Sequence, residues 1–433
     1  MTTEISVIIT IILMVILLAS GMPIAIGLGI AGAVGVFLLQ GIKGLALLPV
    51  SVYGHLNSFT LVAIPLFIFT AQVVLVTELG SDLYTAAERW LSRLRGGLGV
   101  ATVGTVTVFS AVSGSIIASC AGIGSVSVPE MLKRGYSPRL TAGCIGGSAG
   151  IDALIPPSIP FVLYGWLAGV SVGKLYIAGV VPGLIVAFGA ATVIITWAKL
   201  RPSSALASVV GYSWRERWQS LVRVWPALFL VIAILGLIYT GVCTATEAGA
   251  TGAVTALALG VFYYRNLTWE KFKTCVSGTT SIVCAMGAIM AGAMIFGHFV
   301  ALAQISNKVS VWISNLSVPP IMIIVAMNLL FFVLGCLVDT MVILLVFVPP
   351  LIMVVQNLGF DLIWFGVMVV FNIELAGITP PYGLSLYIIK AIAPEISLKD
   401  VILGNLPFVF AHTCVLAIII CFPILSLWLP GTM

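Results

Sequence analysis

Charge is nearly absent from this sequence: Asp, Glu, Lys and Arg together supply 8% of its 433 residues, against 61% hydrophobic. A soluble domain of this size does not carry a mean hydropathy of +1.22, so the composition dictates a polytopic α-helical membrane protein. Polar stretches long enough for a separate soluble domain are also missing, which excludes a nucleotide-driven motor within the chain. Gly122-Ile123-Gly124 is too short for a dinucleotide fingerprint, and no phosphate-cradling loop ends in Gly-Lys-Ser/Thr. The eight cysteines show no C-x-x-C spacing and read as small buried hydrophobes rather than metal ligands or disulfides. A net charge of +5 is small for this length and implies no nucleic-acid partner. With neither a nucleophile elbow nor a His-Glu-x-x-His helix, covalent chemistry is not expected, and the chain does not read as an enzyme.

The few charges are informative by position. Lys199, Arg201, Arg215, Arg217 and Arg223 gather in one hydrophilic loop, 199–223, with only Glu216 against them. The positive-inside rule places that loop in the cytoplasm, and the late first base, Lys43, favours an outward N-terminus. Residues 5–40 carry no charge and no basic leader, so they read as mature membrane helix rather than a cleaved signal. Residues 56–79 are short for a full crossing and predict a re-entrant hairpin, as do the Gly-, Ala- and Met-rich residues 277–303. Residues 81–95 predict an amphipathic interfacial helix capped by Ser81-Asp82. Residues 97–118 predict a membrane helix interrupted at Ser113-Gly114-Ser115, and a Gly179-Val180-Val181-Pro182-Gly183 break is expected on entry to the helix that reaches Lys199.

The chain turns on two proline pairs inside apolar runs, Ile155-Pro156-Pro157-Ser158 and Thr379-Pro380-Pro381-Tyr382-Gly383. Paired prolines cannot continue a helix. Backbone freed at membrane depth is tolerated only under protein or in a water-filled cavity. Gly135 and Pro156 are 21 residues apart, and so are Gly359 and Pro380. A proline precedes each set (Pro129, Pro349), and before it lies a polar interruption, 113–115 or 335–340. The chain is therefore an internal repeat, and matched breaks in two halves point to a transport site.

Ser113, Gly114 and Ser115 read as an unwound segment whose oxygens ligate a hard cation or substrate; serines that back-bond to the previous turn are the plain alternative. Asp339, beside Thr340, costs about 2.5–3.5 kcal/mol to insert in an apolar run. It reads as a cation ligand, or else as the cap of the next half-helix. Asn372, Glu374 and Asp152, upstream of the proline pairs, either bind or tie down the unwound tips. Glu247 after Thr244 reads as a helix-start carboxylate, His298 as a satisfied core residue, and Lys133, Arg134, Arg139 and Lys174 as interfacial anchors. Half-helix N-termini after Pro157 and Pro381 would turn partial positive charge toward an anion.

Seven segments in one order resemble the large membrane subunit of tripartite ATP-independent periplasmic (TRAP) transporters, the DctM-like family. They are Ala63-Ile64-Pro65-Leu66-Phe67; Ser113-Gly114-Ser115; Pro129-Glu130-Met131 with Arg134-Gly135-Tyr136; Ile155-Pro156-Pro157-Ser158-Ile159-Pro160; Lys174-Leu175 with Ala178-Gly179-Val180-Val181-Pro182-Gly183; Thr244 with Thr246-Glu247-Ala248; and Gly377-Ile378-Thr379-Pro380-Pro381-Tyr382-Gly383. Ala245, where proline is usual, and Asp152, where a small or apolar residue is usual, depart from the pattern.

The resemblance implies an all-α, ion-transporter-superfamily fold with two inverted repeats, two re-entrant hairpins and two broken helices, working as an elevator. It implies sodium-coupled import of a small organic anion, a carboxylate or sulfonate, across the bacterial inner membrane. The implied partners are a periplasmic substrate-binding protein and a small four-helix membrane subunit. Sodium would be held near Ser113, Ser115 and Gly150 and near Asp339, Thr340 and Thr379. Substrate would lie near Asn372, Pro156, Pro157, Ser158, Gly377, Pro380, Pro381 and Gly383. The implied partition is a scaffold arm 1–55, a transport domain 56–163, scaffold 164–264, a second transport segment 265–394 and a C-terminal scaffold helix 395–433. A standalone cation- or proton-coupled carrier or exchanger of the same superfamily is the alternative, and a membrane scaffold or enzyme subunit without transport is a third.

Overall fold

The computed structural model describes residues 3–205 and 211–433, and every regular element among them is helical. Seven helices in this set are long and apolar enough to cross a bilayer, or eight if the bent pair Trp214–Arg223 and Trp225–Tyr239 is one span.

The first half opens with α1 (Thr3–Ala19) and α2 (Ile24–Leu45), separated where Gly21 takes φ +78° and Pro23 precedes the new helix. Then come α3 (Leu48–Leu56), α4 (Ala63–Val76) and the amphipathic α5 (Leu79–Leu91). Helices α6 (Gly97–Ser113) and α7 (Ile116–Lys133) are followed by α8 (Pro138–Ala149), α9 (Ile159–Ala168) and α10 (Val172–Leu200). The basic segment carries α11 (Trp214–Arg223), opened by a capping box of Ser213 and Glu216.

The second half contains α12 (Trp225–Val231) and α13 (Leu237–Tyr239), joined by a wide π turn, then α14 (Ala245–Ala258). A long α15 (Trp269–Leu302) leads to α16 (Ile305–Ser314) and α17 (Pro320–Gly335). Beyond a polar break, α18 (Thr340–Val342) and α19 (Val348–Asn357) form one run through a second π turn. The chain ends with α20 (Leu362–Gly377), α21 (Leu384–Ile392), α22 (Leu398–Cys421) and α23 (Ile424–Leu427).

The repeated spacing has a matching backbone. Gly135 and Gly359 share φ +78°, a left-handed geometry that favours glycine. Each is followed by a capped helix, α8 under Ser137 and α20 under Asp361. Each of these stops before a proline pair, resumes as a shorter helix (α9, α21), and passes to a long helix capped by serine, α10 under Ser171 and α22 under Ser397.

Three sequence expectations need correction. Residues 59–76 form one helical run rather than a hairpin, because Pro65 falls in the first turn of α4, where its missing N–H has no helical partner to lose. Residues 277–303 lie within the continuous α15 and its neighbouring turn. The glycines there serve packing: a Cβ on Gly292 would sit 2.1 Å from the Ala25 carbonyl oxygen, and one on Gly32 would sit 2.6 Å from the Phe296 Cα. Small residues thus let α2 and α15 touch backbone to backbone, as membrane helices do without a hydrophobic drive between them. The Gly179–Gly183 stretch, too, stays helical inside α10. Its glycines make room for the Leu154 carbonyl oxygen and the Ile155 side chain of the first break.

The true fold-back of the first half is at Ser113-Gly114-Ser115. Leu98 N donates to Tyr136 Oη at 3.3 Å and Thr102 Oγ1 to Met131 Sδ at 3.7 Å. The start of α6 therefore lies beside the end of α7, and the two helices form an antiparallel hairpin with Gly114, at φ +56°, at its tip. The amphipathic α5 packs along it, beginning at Leu79 rather than under a Ser81-Asp82 cap.

The base of this hairpin is tied to the basic segment. Arg134 pairs with Glu88 and, at 2.6 Å, with Glu130, while Tyr212 donates to Glu88 at 2.7 Å. Burial, with Glu88 beside it, raises the Tyr212 hydroxyl above its ordinary pKa.

Candidate functional site

The first proline pair meets the hairpin tip, and the second meets the break between α17 and α18. A Cβ on Gly114 would lie 1.7 Å from the Pro157 carbonyl oxygen, so the first tip presses on the first break with no room for a side chain. In the second half, Tyr382 N donates to the Cys336 carbonyl at 3.2 Å and Tyr382 Oη to Asp339 Oδ2 at 2.9 Å. The residue after the second pair is thereby fastened to the break between α17 and α18.

The first pairing is wholly internal. Residues 150–158 are all buried. Ser113 is fully buried, its Oγ 3.2 Å from Ser119 Oγ. Ser115 caps α7, accepting from Ala118 N at 3.4 Å, which is the plain structural role. Gly150 follows α8 and faces the His412 ring, whose Cε1 and Nδ1 would each lie 3.0 Å from a Cβ at this position. Asp152, 1% exposed, accepts from Ser110 Oγ and, at 2.6 Å, from Ser119 Oγ. These two serines flank the tip, one on each hairpin arm. Pro156 and Pro157 are buried, and Ser158 is buried with its hydroxyl unpartnered.

The second pairing is more open. Pro380 is half-buried and Pro381 exposed, with Gly377 and Gly383 buried on either side. Asp339 caps α18, its Oδ1 accepting from Met341 N at 2.8 Å. The cap reading is thus realised, while Oδ2 faces Tyr382. Thr340 is the first residue of α18. Thr379 spends its hydroxyl proton on the Leu375 carbonyl at 2.7 Å, leaving its lone pairs free. Asn372 donates to the Asn328 carbonyl (2.6 Å) and Oδ1 (3.0 Å), so its amide secures α20 to α17 while its own Oδ1 stays unpartnered.

Glu374 connects the halves. It is buried, and the charges that act on it are those of Asp152 in the first half and Asp339 in the second. The two breaks therefore face one region, carrying carboxylates and hydroxyls and no base acting on Asp152 or Glu374. Hard cations take oxygen donors of this kind. Among the described residues no three His, Cys, Asp or Glu side chains converge as a metal cluster.

Sequence reasoning missed Ser110, Ser119, Tyr382 and Asn328. Only Tyr382 had a local signal, its place in Pro380-Pro381-Tyr382-Gly383. Glu247 is the helix-start carboxylate expected, boxed with Thr244. His298 departs from expectation: it is half-buried with Nε2 unpartnered, lining a cavity of about 800 Å³ with His55, Trp166 and Pro349.

A hairpin tip on the first proline break, a second break fastened to the second proline pair, and a chain of membrane-length helices make the architecture of a membrane transport permease. The chain matches the family described as the tripartite ATP-independent periplasmic transporter, DctM component, over residues 11–425. It is 30% identical to the sialic acid TRAP transporter large permease protein SiaM of Vibrio cholerae, over 96% of each chain. It is 31% identical to the C4-dicarboxylate large permease protein DctM of Pseudomonas aeruginosa, over 93% of each. The isethionate permease protein DctMQ of Oleidesulfovibrio alaskensis is 32% identical, and the alignment covers 87% of this chain but 59% of that longer one. The Alcanivorax borkumensis YdaH transporter structure shares the fold, with a TM-score of 0.62 at 15% identity, covering 89% of this chain and 90% of that one. This chain belongs to the DctM family of TRAP transporter large permeases, a family of bacterial multi-pass membrane transporters rather than enzymes.

Proposed function

We propose that this permease imports a small organic anion across the bacterial inner membrane by sodium coupling, with a periplasmic binding protein and a small membrane subunit as partners. The observation that carries this reading is the seating of the hairpin tip on the first proline break and of the α17–α18 break on the second, with oxygen donors at both. Sodium on those donors offsets part of the charge of Asp152, Glu374 and Asp339, and an organic acid then meets a less repulsive site. Relatives named for isethionate, sialic acid and C4-dicarboxylates support an anionic substrate class.

Packing supports an elevator partition that differs from the one implied by the sequence. Helix α8 presents Gly143, Gly146 and Gly147 to α22, where the Gly404 carbonyl oxygen, Asn405 and Phe408 fill the space. Contacts this close leave α22 no freedom to slide, so α22, and α10 packed against it, travel with the hairpins and broken helices. The fixed frame is then α1 to α4 with α14 and α15, held by the glycine contact of α2 and α15. The inverted orientation of the two halves, and the cytoplasmic placement of the basic segment, are part of the same proposal.

Proteoliposomes holding this chain with its small subunit and binding protein test the reading. An inward sodium gradient should drive uptake of an organic anion that the binding protein captures. Uptake driven equally by a proton gradient alone, or without the binding protein, would favour the standalone carrier instead.

A further inference from the structure

Asp152 is a carboxylate sealed in the interior, and its surroundings are one-sided. Oδ1 receives the Ser110 and Ser119 hydroxyls, whereas Oδ2 is buried and has no partner at all. No Lys or Arg acts on it, and the nearby charge of Glu374 is of the same sign. An uncompensated buried ion is severely penalised. Two agents could neutralise it: a proton or a metal cation. A proton on Oδ2 would create a buried O–H donor with nothing to accept it, and one on Oδ1, turned to Ser110 Oγ while that hydroxyl donates to the Val106 carbonyl at 2.6 Å, would still leave Oδ2 without a partner. A cation beside Oδ2 supplies the missing partner, and the fully buried hydroxyls of Ser110 and Ser119 stand against the same carboxylate, with that of Ser113 3.2 Å from Ser119 Oγ.

We propose that Asp152 is the charged anchor of a monovalent cation site on the first half of this permease, ligating sodium through Oδ2 with the hydroxyls of Ser110, Ser113 and Ser119 around it. This deepens the sodium-coupled reading and rests on it. It moves the first site from neutral oxygens near Ser115 and Gly150 to a carboxylate that this chain carries where the family pattern has a small or apolar residue. One consequence concerns order. With the site empty, the Asp152 charge repels an organic anion, so the ion enters first and the anion second.

Radioactive sodium binding to the purified complex of this chain with its small subunit tests the assignment, with choline holding ionic strength constant. Asp152→Asn keeps the size and the serine contacts but removes the charge. It should raise the half-saturating sodium concentration about tenfold or abolish one bound sodium per chain, because affinity in oxygen-ligated sites follows ligand charge. Ser119→Ala, which leaves the carboxylate, should weaken binding less, and it serves as the readout if the aspartate variant does not fold. Unchanged sodium number and affinity in folded Asp152→Asn, or in Ser119→Ala where that variant alone folds, would overturn the proposal. So would a loss of proton uptake in place of sodium. A wild-type complex that binds no sodium at all would instead defeat the coupled reading on which the proposal stands.

Discussion

Single atoms decide two outcomes. At residue 114 the backbone is left-handed and the Pro157 carbonyl oxygen stands where a Cβ would go. Gly114→Ala should therefore abolish uptake and lower the thermal unfolding midpoint in detergent; the left-handed term alone is roughly 1–2 kcal/mol. At Asp339, the Tyr382 hydroxyl competes with any cation for Oδ2. Tyr382→Phe retains the ring and should lower the half-saturating sodium concentration for uptake by about threefold, a shift expected of one hydrogen bond to a charged group that is largely repaid by solvent or ion. Asp339 and the prolines are legible in the sequence because each is costly where it stands. Ser110 and Ser119 are not, since serines are cheap in membrane helices. The partner that makes them significant lies 42 and 33 residues away.

Among elements, the hairpin is misplaced by the sequence for an identifiable reason. Shortness suggests a re-entrant hairpin in residues 56–79, yet residues 59–76 run as one helical span, since a proline in the first helical turn interrupts nothing. The real reversal rests on one glycine between two serines, a signal that interruption and reversal share. The glycines of α8 are equally ambiguous until α22 fills them. Gly146→Val should be among the most destabilising substitutions in the chain, because Asn405 Oδ1 lies 2.1 Å from the new Cβ. A loss of at least about 2 kcal/mol is expected for overpacking at so tight a seam, read by denaturation of the detergent-solubilised protein. Phe410, exposed on the outer face of the same helix, should accept Leu with no measurable change.

At the scale of the molecule the two breaks are unequal, the first sealed and the second partly exposed. Tyr382→Cys should react with a membrane-impermeant maleimide applied from one side in the resting carrier. Ser158→Cys should react only during turnover, and equal labelling of both at rest would contradict the asymmetry. The helical class and the family are both readable from composition and motif order. The proposed division into moving and fixed bodies is not, because it depends on which surfaces interlock, and interlocking is a property of pairs. Helix α15 has 34 residues, or about 50 Å at 1.5 Å per residue. A hydrocarbon layer is about 30 Å thick. So long a rod must lean or protrude, and either choice ties the frame to bilayer thickness. Reconstitution in short- and long-chain lipids should therefore shift how steeply the frame is inclined, and with it the vertical distance the cargo has left to travel.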